Sequence, residues 1–285
     1  MTKKKVAFVT DSTVYLTEEL RNHPDLYVVP IVVISDGKEL EDGKDLTSDM
    51  LYHIIRTEKQ VPKTSQPNVA KFSALYKKLQ EEYESAIAIH VSGKLSGTIS
   101  SSSTAKDQVG FPVEIIDSHS LSFAITELIE KGLKLADQGI DVTEIANKLR
   151  NEAKQTRNLI LLGSLEQLHK GGRMSNVQFL IGNFLKIKPI LSINSKGELH
   201  LFERIRSEKK AINRMVELFK QAYNDYKIKR IGIMHANAVE KAIELKERLQ
   251  SEIPELKAVI GEISSSLAVH AGEDSIALFW HQSEK

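Results

Sequence analysis

Two Ser-Gly steps mark Val91-Ser92-Gly93-Lys94-Leu95-Ser96-Gly97-Thr98, which follows a short apolar stretch and leads into a serine-rich segment ending near Asp107. A buried strand, a turn of small residues and a helix start together suit an anion. The first amides of a helix have no partner inside it, and its dipole favours negative charge there. Ser96 and Thr98 would add hydroxyls to those amides, and Gly93 and Gly97 would let a ligand approach the backbone. The same residues also suit a plain serine cap after a glycine turn. Three other places carry comparable chemistry. Thr10-Asp11-Ser12-Thr13 follows the apolar residues 6–9, at a strand end where α/β sheets bind ligands, although Asp11 or Ser12 could equally cap a helix at 17–21. Thr64-Ser65-Gln66-Pro67 reads as a helix opening, with Ser65 as the cap, Pro67 in the first turn and Thr64 just outside. Arg173, in Gly171-Gly172-Arg173, reads as an exposed side chain, either a solvated charge or a contact for a phosphate or a partner.

Much chemistry is excluded. The chain has 285 residues, a formal charge of +1, nine histidines and no cysteine. Disulfides, thiol nucleophiles and cysteine–zinc sites are therefore ruled out, and a reducing cytoplasm fits. The histidines show no metal-ligand spacing, so neither a metal nor a cofactor is expected. No lysine/arginine stripe interleaved with aromatics argues for nucleic acid. The motif G-x-G-x-x-G does not occur, and the P-loop-like Gly93-Lys94 lacks its upstream glycine, since residue 88 is alanine. Ser96 lacks the G-x-S-x-G setting of a nucleophile elbow, because residue 94 is lysine. The basic residues 3–5 precede an apolar stretch too short for a signal peptide. The longest apolar run, 27–34, is interrupted by Pro30 and too short for a bilayer, so a soluble protein is expected.

The elements that must position these residues alternate. Strands are expected at 6–9, 27–34, 86–91 and 113–117, with helices from Thr64-Ser65-Gln66-Pro67, after the Ser/Gly turn, over 118–138 and over 141–156. Residues 36–38 read as a turn and 39–49 as an acidic surface loop. Alternation of this kind predicts an α/β fold whose first domain has a parallel sheet between two helix layers. The second half differs. A strand at 159–162 and a short helix at 166–170 precede residues 175–187, apolar nearly all round. Such a helix needs cover on several sides, as a buried core or dimer helix or as one wall of an apolar tunnel. A hairpin over 189–205, helices at 208–226 and 239–252, and strands at 230–235, 257–263 and 275–280 predict a mixed sheet. The domains are expected at 1–157 and 158–285.

Thr10-Asp11-Ser12-Thr13, Thr64-Ser65-Gln66-Pro67, Ser92-Gly93-Lys94-Leu95-Ser96-Gly97-Thr98, Lys170-Gly171-Gly172-Arg173 and His270-Ala271-Gly272 fall in the order and approximate spacing of the DegV family. The chain resembles these bacterial fatty-acid-binding proteins over nearly its whole length. It departs from their pattern at Lys94, at Ile99-Ser100 and at Glu273-Asp274-Ser275. The resemblance implies two domains with a ligand tunnel between them and a long-chain fatty acid, such as palmitate, as ligand. It places the carboxylate on Thr64 and Ser96, with Gly97 and His270 beside it. It further implies a separate ATP-dependent fatty acid kinase as partner, making acyl-phosphate for phospholipid synthesis, with transient membrane contact. Arg173, and more weakly Arg206, match residues that would meet the partner or a phosphate. The lipid-binding chain itself would catalyse nothing.

Burying methylenes is worth about 0.8 kcal/mol each, so a long chain offers on the order of 10 kcal/mol gross. The tail can then supply affinity, and the head needs only hydroxyls and amides, an arrangement without an ion pair that leaves it open to phosphorylation. Three other readings compete. One is a small-carbonyl enzyme related to dihydroxyacetone kinase that uses His270. Another is a hydrolase using Ser96 with His270 and Asp11 or Asp117. The last is an interaction module whose apolar helix forms a dimer face.

Overall fold

The structure, a computed structural model, describes residues 3–57, 61–174 and 187–283. The first half runs through β1 (Lys4–Asp11), α1 (Glu18–Arg21), β2 (Leu26–Val29), β3 (Val32–Ser35), β4 (Lys38–Glu41), α2 (Ser48–Thr57), β5 (Lys63–Ser65), α3 (Val69–Glu82), β6 (Tyr83–His90), α4 (Thr98–Val109), β7 (Val113–Asp117), α5 (Phe123–Asp137) and α6 (Val142–Ala153). Strands β2-β1-β6-β7 form a parallel sheet in that order. Because strand side chains alternate between faces, β1 sends Ala7 and Val9 to one side and Phe8 to the other. The first face packs with Phe72, Tyr76 and Leu79 of α3 and Ala105 of α4. The second packs with Ile125 and Ile129 of α5 and Leu149 of α6. This is the expected three-layer arrangement. The chain leaves β1 toward β2 on one side and later returns through β6 on the other, so a switch point lies at the ends of β1 and β6.

The second half continues with β8 (Thr156–Leu161), α7 (Leu165–Lys170), β9 (Ile190–Ile193), β10 (Leu199–Glu203), α8 (Glu208–Asp225), β11 (Arg230–His235), α9 (Val239–Glu252), β12 (Lys257–Glu262), α10 (Ser265–Ala271) and β13 (Ile276–His281). Its six strands form one mixed sheet, β10-β9-β8-β13-β11-β12, in which only β11 and β12 run parallel. Both faces are buried. Leu159, Leu161, Ile233, Leu278 and Trp280 meet Met215 and Phe219 of α8 and Leu245 and Leu249 of α9. Their alternates Ile160, Leu191, Ile193, Met234, Ala277 and Phe279 point the opposite way, into a cluster that also holds Phe123 and Leu168.

Several expectations change. The apolar run 27–34 is two strands in different sheets. Pro30 has no N–H to donate; β2 on one side pairs with β1, while β3 on the other pairs antiparallel with β4 and β5. Strand β4 and the start of helix α2 take up the two ends of the stretch expected as a surface loop. Asp42 within it is buried, accepting from the Ser12 hydroxyl at 2.8 Å and from the Ser265 and Ser266 amides at 3.1 Å each. It thus caps α10. Thr64 and Ser65 lie in β5, and α3 begins later, with Asn68 accepting from the Lys71 amide. Helix α5 starts at Phe123, because His119 and Ser122 adopt positive φ (49° and 54°). Residues 175–186, most of the expected apolar helix, lie outside the described residues.

Candidate functional site

A cavity lies between the exposed end of the parallel sheet and the inner face of the mixed one. Its walls are mainly aliphatic: Ile31, Val91, Leu95 and Leu121 on one side, Ile160, Leu162, Leu199, Met234, Ala277 and Phe279 on the other. Strand pairing sets that second wall in a row, since Ala277 of β13 lies between Ile160 of β8 and Met234 of β11. Thr64, Gln66, Ser96, His270 and Arg173 also line the cavity.

Each of these side chains is held by an identifiable device. Thr64 is fixed by β5, opposite Val33 of β3. Its Oγ1 lies 2.7 Å from Nε2 of His270, which α10 carries. Nδ1 of His270 has no hydrogen-bond partner among the described residues. A buried N–H without an acceptor is the costlier orphan, so the proton is assigned to Nε2, where it donates to Thr64. The Thr64 O–H is then free to donate into the cavity. Burial, with Arg173 nearby, pushes the His270 pKa down to about 3, so the ring is neutral at physiological pH.

Ser96 precedes α4 in the turn that opens on Val91. Gly97 takes the cap position, with no side-chain cap bond. The Ser96 hydroxyl meets the Thr98 hydroxyl at 2.8 Å and accepts from the Thr98 amide at 3.3 Å. Two glycines are explained by space. A Cβ on Gly97 would stand 3.1 Å from the Gln66 side chain, and one on Gly171 would stand 2.1 Å from Nδ1 of His270. Gly172, at φ +74°, instead supplies a left-handed turn that swings Arg173 inward.

Arg173 is half-buried, not exposed as expected. Its Nε donates to the Leu95 carbonyl at 3.3 Å and its Nη1 to the Gly171 carbonyl at 2.6 Å. Burial lowers its pKa, and no carboxylate pairs with it among the described residues. It is the one charged side chain among the described residues lining the cavity. The polar part of the cavity therefore carries a cation as well as hydroxyls. Arg173, Leu95 and Ser96 also line a surface groove with Gly97 and Lys94, so they form the partition between cavity and solvent. Arg206 is exposed and outside the cavity.

The residues named for a hydrolase do not assemble. His270 meets Thr64, Asp11 meets His90, and Asp117 accepts from the Gly93 and His119 amides. Gln66 carries no signal of its own in the sequence; its closeness to Gly97, distant along the chain, marks it out. No group of side chains suited to a metal is found among the described residues, nor a helix long and apolar enough to cross a membrane.

Residues 5–283 match a family model described as an uncharacterised protein of the DegV family. The chain belongs to the DegV family. A DegV domain-containing protein of Streptococcus pneumoniae is 34% identical over 96% of this chain and 98% of its own. The crystal structure of a fatty-acid-binding DegV family protein from Streptococcus agalactiae superimposes with a TM-score of 0.91 at 31% identity, covering 99% of this chain and all of that one. A Streptococcus pneumoniae fatty acid kinase B3 protein loaded with linoleic acid shares the fold, with a TM-score of 0.85 at 21% identity over 98% of this chain and all of that one. The mixed α/β architecture described above is shared with the Streptococcus agalactiae protein.

Proposed function

We propose that this DegV protein binds one long-chain fatty acid and presents its carboxylate to a separate ATP-dependent kinase for acyl-phosphate formation. The observation that carries the reading is a group of hydrogen-bond donors and one cation gathered in a mainly apolar cavity. Ser96 and the Arg173 cation stand at the partition with solvent, the Thr64 hydroxyl with its His270 partner lies in the cavity wall, and aliphatic side chains line much of the inner face of the mixed sheet. Thr64 and Ser96 hold the carboxylate, Gly97 and His270 shape its setting, and the tail lies in a tunnel between two domains divided near residue 157. Arg173 neutralises the head group, and its place in the partition suits contact with the incoming phosphate; Arg206 offers a surface contact for the kinase. No cofactor takes part, and the chain acts in the cytoplasm. A small carbonyl substrate is disfavoured by the aliphatic walls and by the engagement of His270 Nε2 with Thr64.

Native mass spectrometry of the purified protein, followed by organic extraction, tests the binding step. A stoichiometric fatty acid is expected. A mass that stays that of the bare chain after incubation with saturated and unsaturated fatty acids overturns the reading. For the second step, Thr64→Ala or Ser96→Ala should impair acyl-phosphate formation with a fatty acid kinase. Unchanged binding and turnover in both would remove these residues from the site.

A further inference from the structure

A second polar assembly lies behind the site, and it is sealed. Tyr76 Oη meets Ser102 Oγ at 2.6 Å, Ser102 Oγ meets His90 Nε2 at 3.0 Å, and His90 Nδ1 meets Asp11 Oδ2 at 3.3 Å. Tyr76, His90 and Asp11 are fully buried, as is Ser102. The order Asp–His–Ser is that of a hydrolytic triad, but no substrate reaches it, and the Ser102 hydroxyl is already paired with a tyrosine.

Its geometry gives it another task. Pairing of Thr10 with Ile89 brings Asp11 beside His90 at the switch point of the parallel sheet. The Asp11 carboxylate accepts from the Val91 amide at 2.9 Å through Oδ2, and from the Thr13 amide and hydroxyl at 3.0 and 2.6 Å through Oδ1. Val91 and Thr13 both line the cavity. His90 reaches forward twelve residues to Ser102, one turn into α4. The segment bearing Ser96 is therefore gripped at its start through Val91 and at its end through Ser102. Tyr76 extends the grip to α3, which follows Thr64-Ser65-Gln66-Pro67. One direction of donation satisfies every member: Tyr76 O–H to Ser102, Ser102 O–H to His90 Nε2, and His90 Nδ1–H to Asp11.

We infer that the buried relay Asp11–His90–Ser102–Tyr76 positions the carboxylate-binding turn, so that these residues set the preference for an acid head group without touching the ligand. The inference rests on the carboxylate assignment proposed above, and its test separates the two. Oleic acid and oleyl alcohol share a tail and differ in the head. Both are titrated into wild type, into the double variant Tyr76→Phe/Ser102→Ala, which removes both hydroxyls, and into His90→Asn, whose amide can still donate to Asp11 but falls short of Ser102. In each variant the Kd for the acid should rise about tenfold and that for the alcohol stay within about twofold, so the acid-over-alcohol preference falls about tenfold, equivalent to about 1.4 kcal/mol. Retained alcohol binding reports an intact cavity, and His90→Asn serves alone if the double variant does not fold. An unchanged preference overturns the inference, whether both ligands weaken together, as a merely structural role requires, or neither does. Failure of the carboxylate assignment shows separately, as a wild type that does not prefer the acid.

Discussion

Replacing Thr64 with valine tests the head site most directly. The substitution keeps the β-branched shape that suits β5 and exchanges Oγ1 for a methyl group, so no cavity opens. Two effects follow from the 2.7 Å contact with His270. In the unliganded protein Nε2–H loses its acceptor, which costs roughly 1–3 kcal/mol of stability. In the complex the carboxylate loses a hydrogen bond, and bonds to charged groups are worth roughly 1.5–3 kcal/mol, about 10- to 100-fold in Kd. The two effects oppose each other in part, because a carboxylate entering the variant offers an acceptor to the stranded His270 N–H. The expected net change is therefore near the lower end, about tenfold, with Thr64→Ser close to wild type. Isothermal titration with a long-chain fatty acid measures the affinity and urea unfolding of the delipidated protein measures the stability. A Thr64→Val protein of reduced stability but unchanged affinity would refute the placement of the carboxylate at Thr64 while leaving the contact with His270 intact.

Other outcomes are expected. The His270 pKa, held near 3 in the folded protein, lies near 6.5 in the unfolded chain. The unfolded state therefore binds the proton more readily, and the associated stability is full above about pH 6.5 and lost as pH falls toward 3. Between pH 7.5 and 5.5 wild type should lose about 1 kcal/mol more than His270→Gln in urea unfolding, and equal losses would contradict the assignment. Ala277→Phe places a ring on the cavity face between Ile160 and Met234. It should weaken fatty acid binding by about tenfold or more while the melting temperature of the empty protein holds, and a loss of both would mean a crowded core instead. Asp42→Ala strands two α10 amides and should cost about 2–3 kcal/mol in chemical denaturation; a cost below 0.5 kcal/mol would show that Asp42 is not needed to hold the helix carrying His270.

Regular elements with their own periodicity were legible in the sequence. Residues 230–235 and 239–252 read as a strand and a helix at the bounds found for β11 and α9, the first as a short apolar run and the second by apolar residues at helical spacing. The reading failed where tertiary pairing overrides local pattern. Thr64-Ser65 looks like a helix start, yet β3 offers it a strand partner. Asp42 looks like one solvated acid among several, and only the fold brings two α10 amides to it. The family resemblance grouped Thr64, Ser96, Gly97 and His270 and set Arg173 apart as a partner or phosphate contact, without showing how any of them meet. The glycines of Lys170-Gly171-Gly172-Arg173 now have distinct reasons, one giving room to an imidazole and the other turning the chain. The inward course of Arg173 was hidden, since an arginine beside two glycines resembles any exposed turn.

The aliphatic wall of the cavity belongs to the same cluster of buried residues that holds the two halves of the chain together. A bound acyl chain would therefore be part of the protein's interior as well as its cargo. A ligand at one hundred times its Kd adds about 2.7 kcal/mol to the folded state. The population open to a protease then falls about a hundredfold. Supply of lipid would set not only how much of this protein is loaded but how long each copy survives, so that its abundance in a cell becomes a slow record of how well provisioned that cell has been.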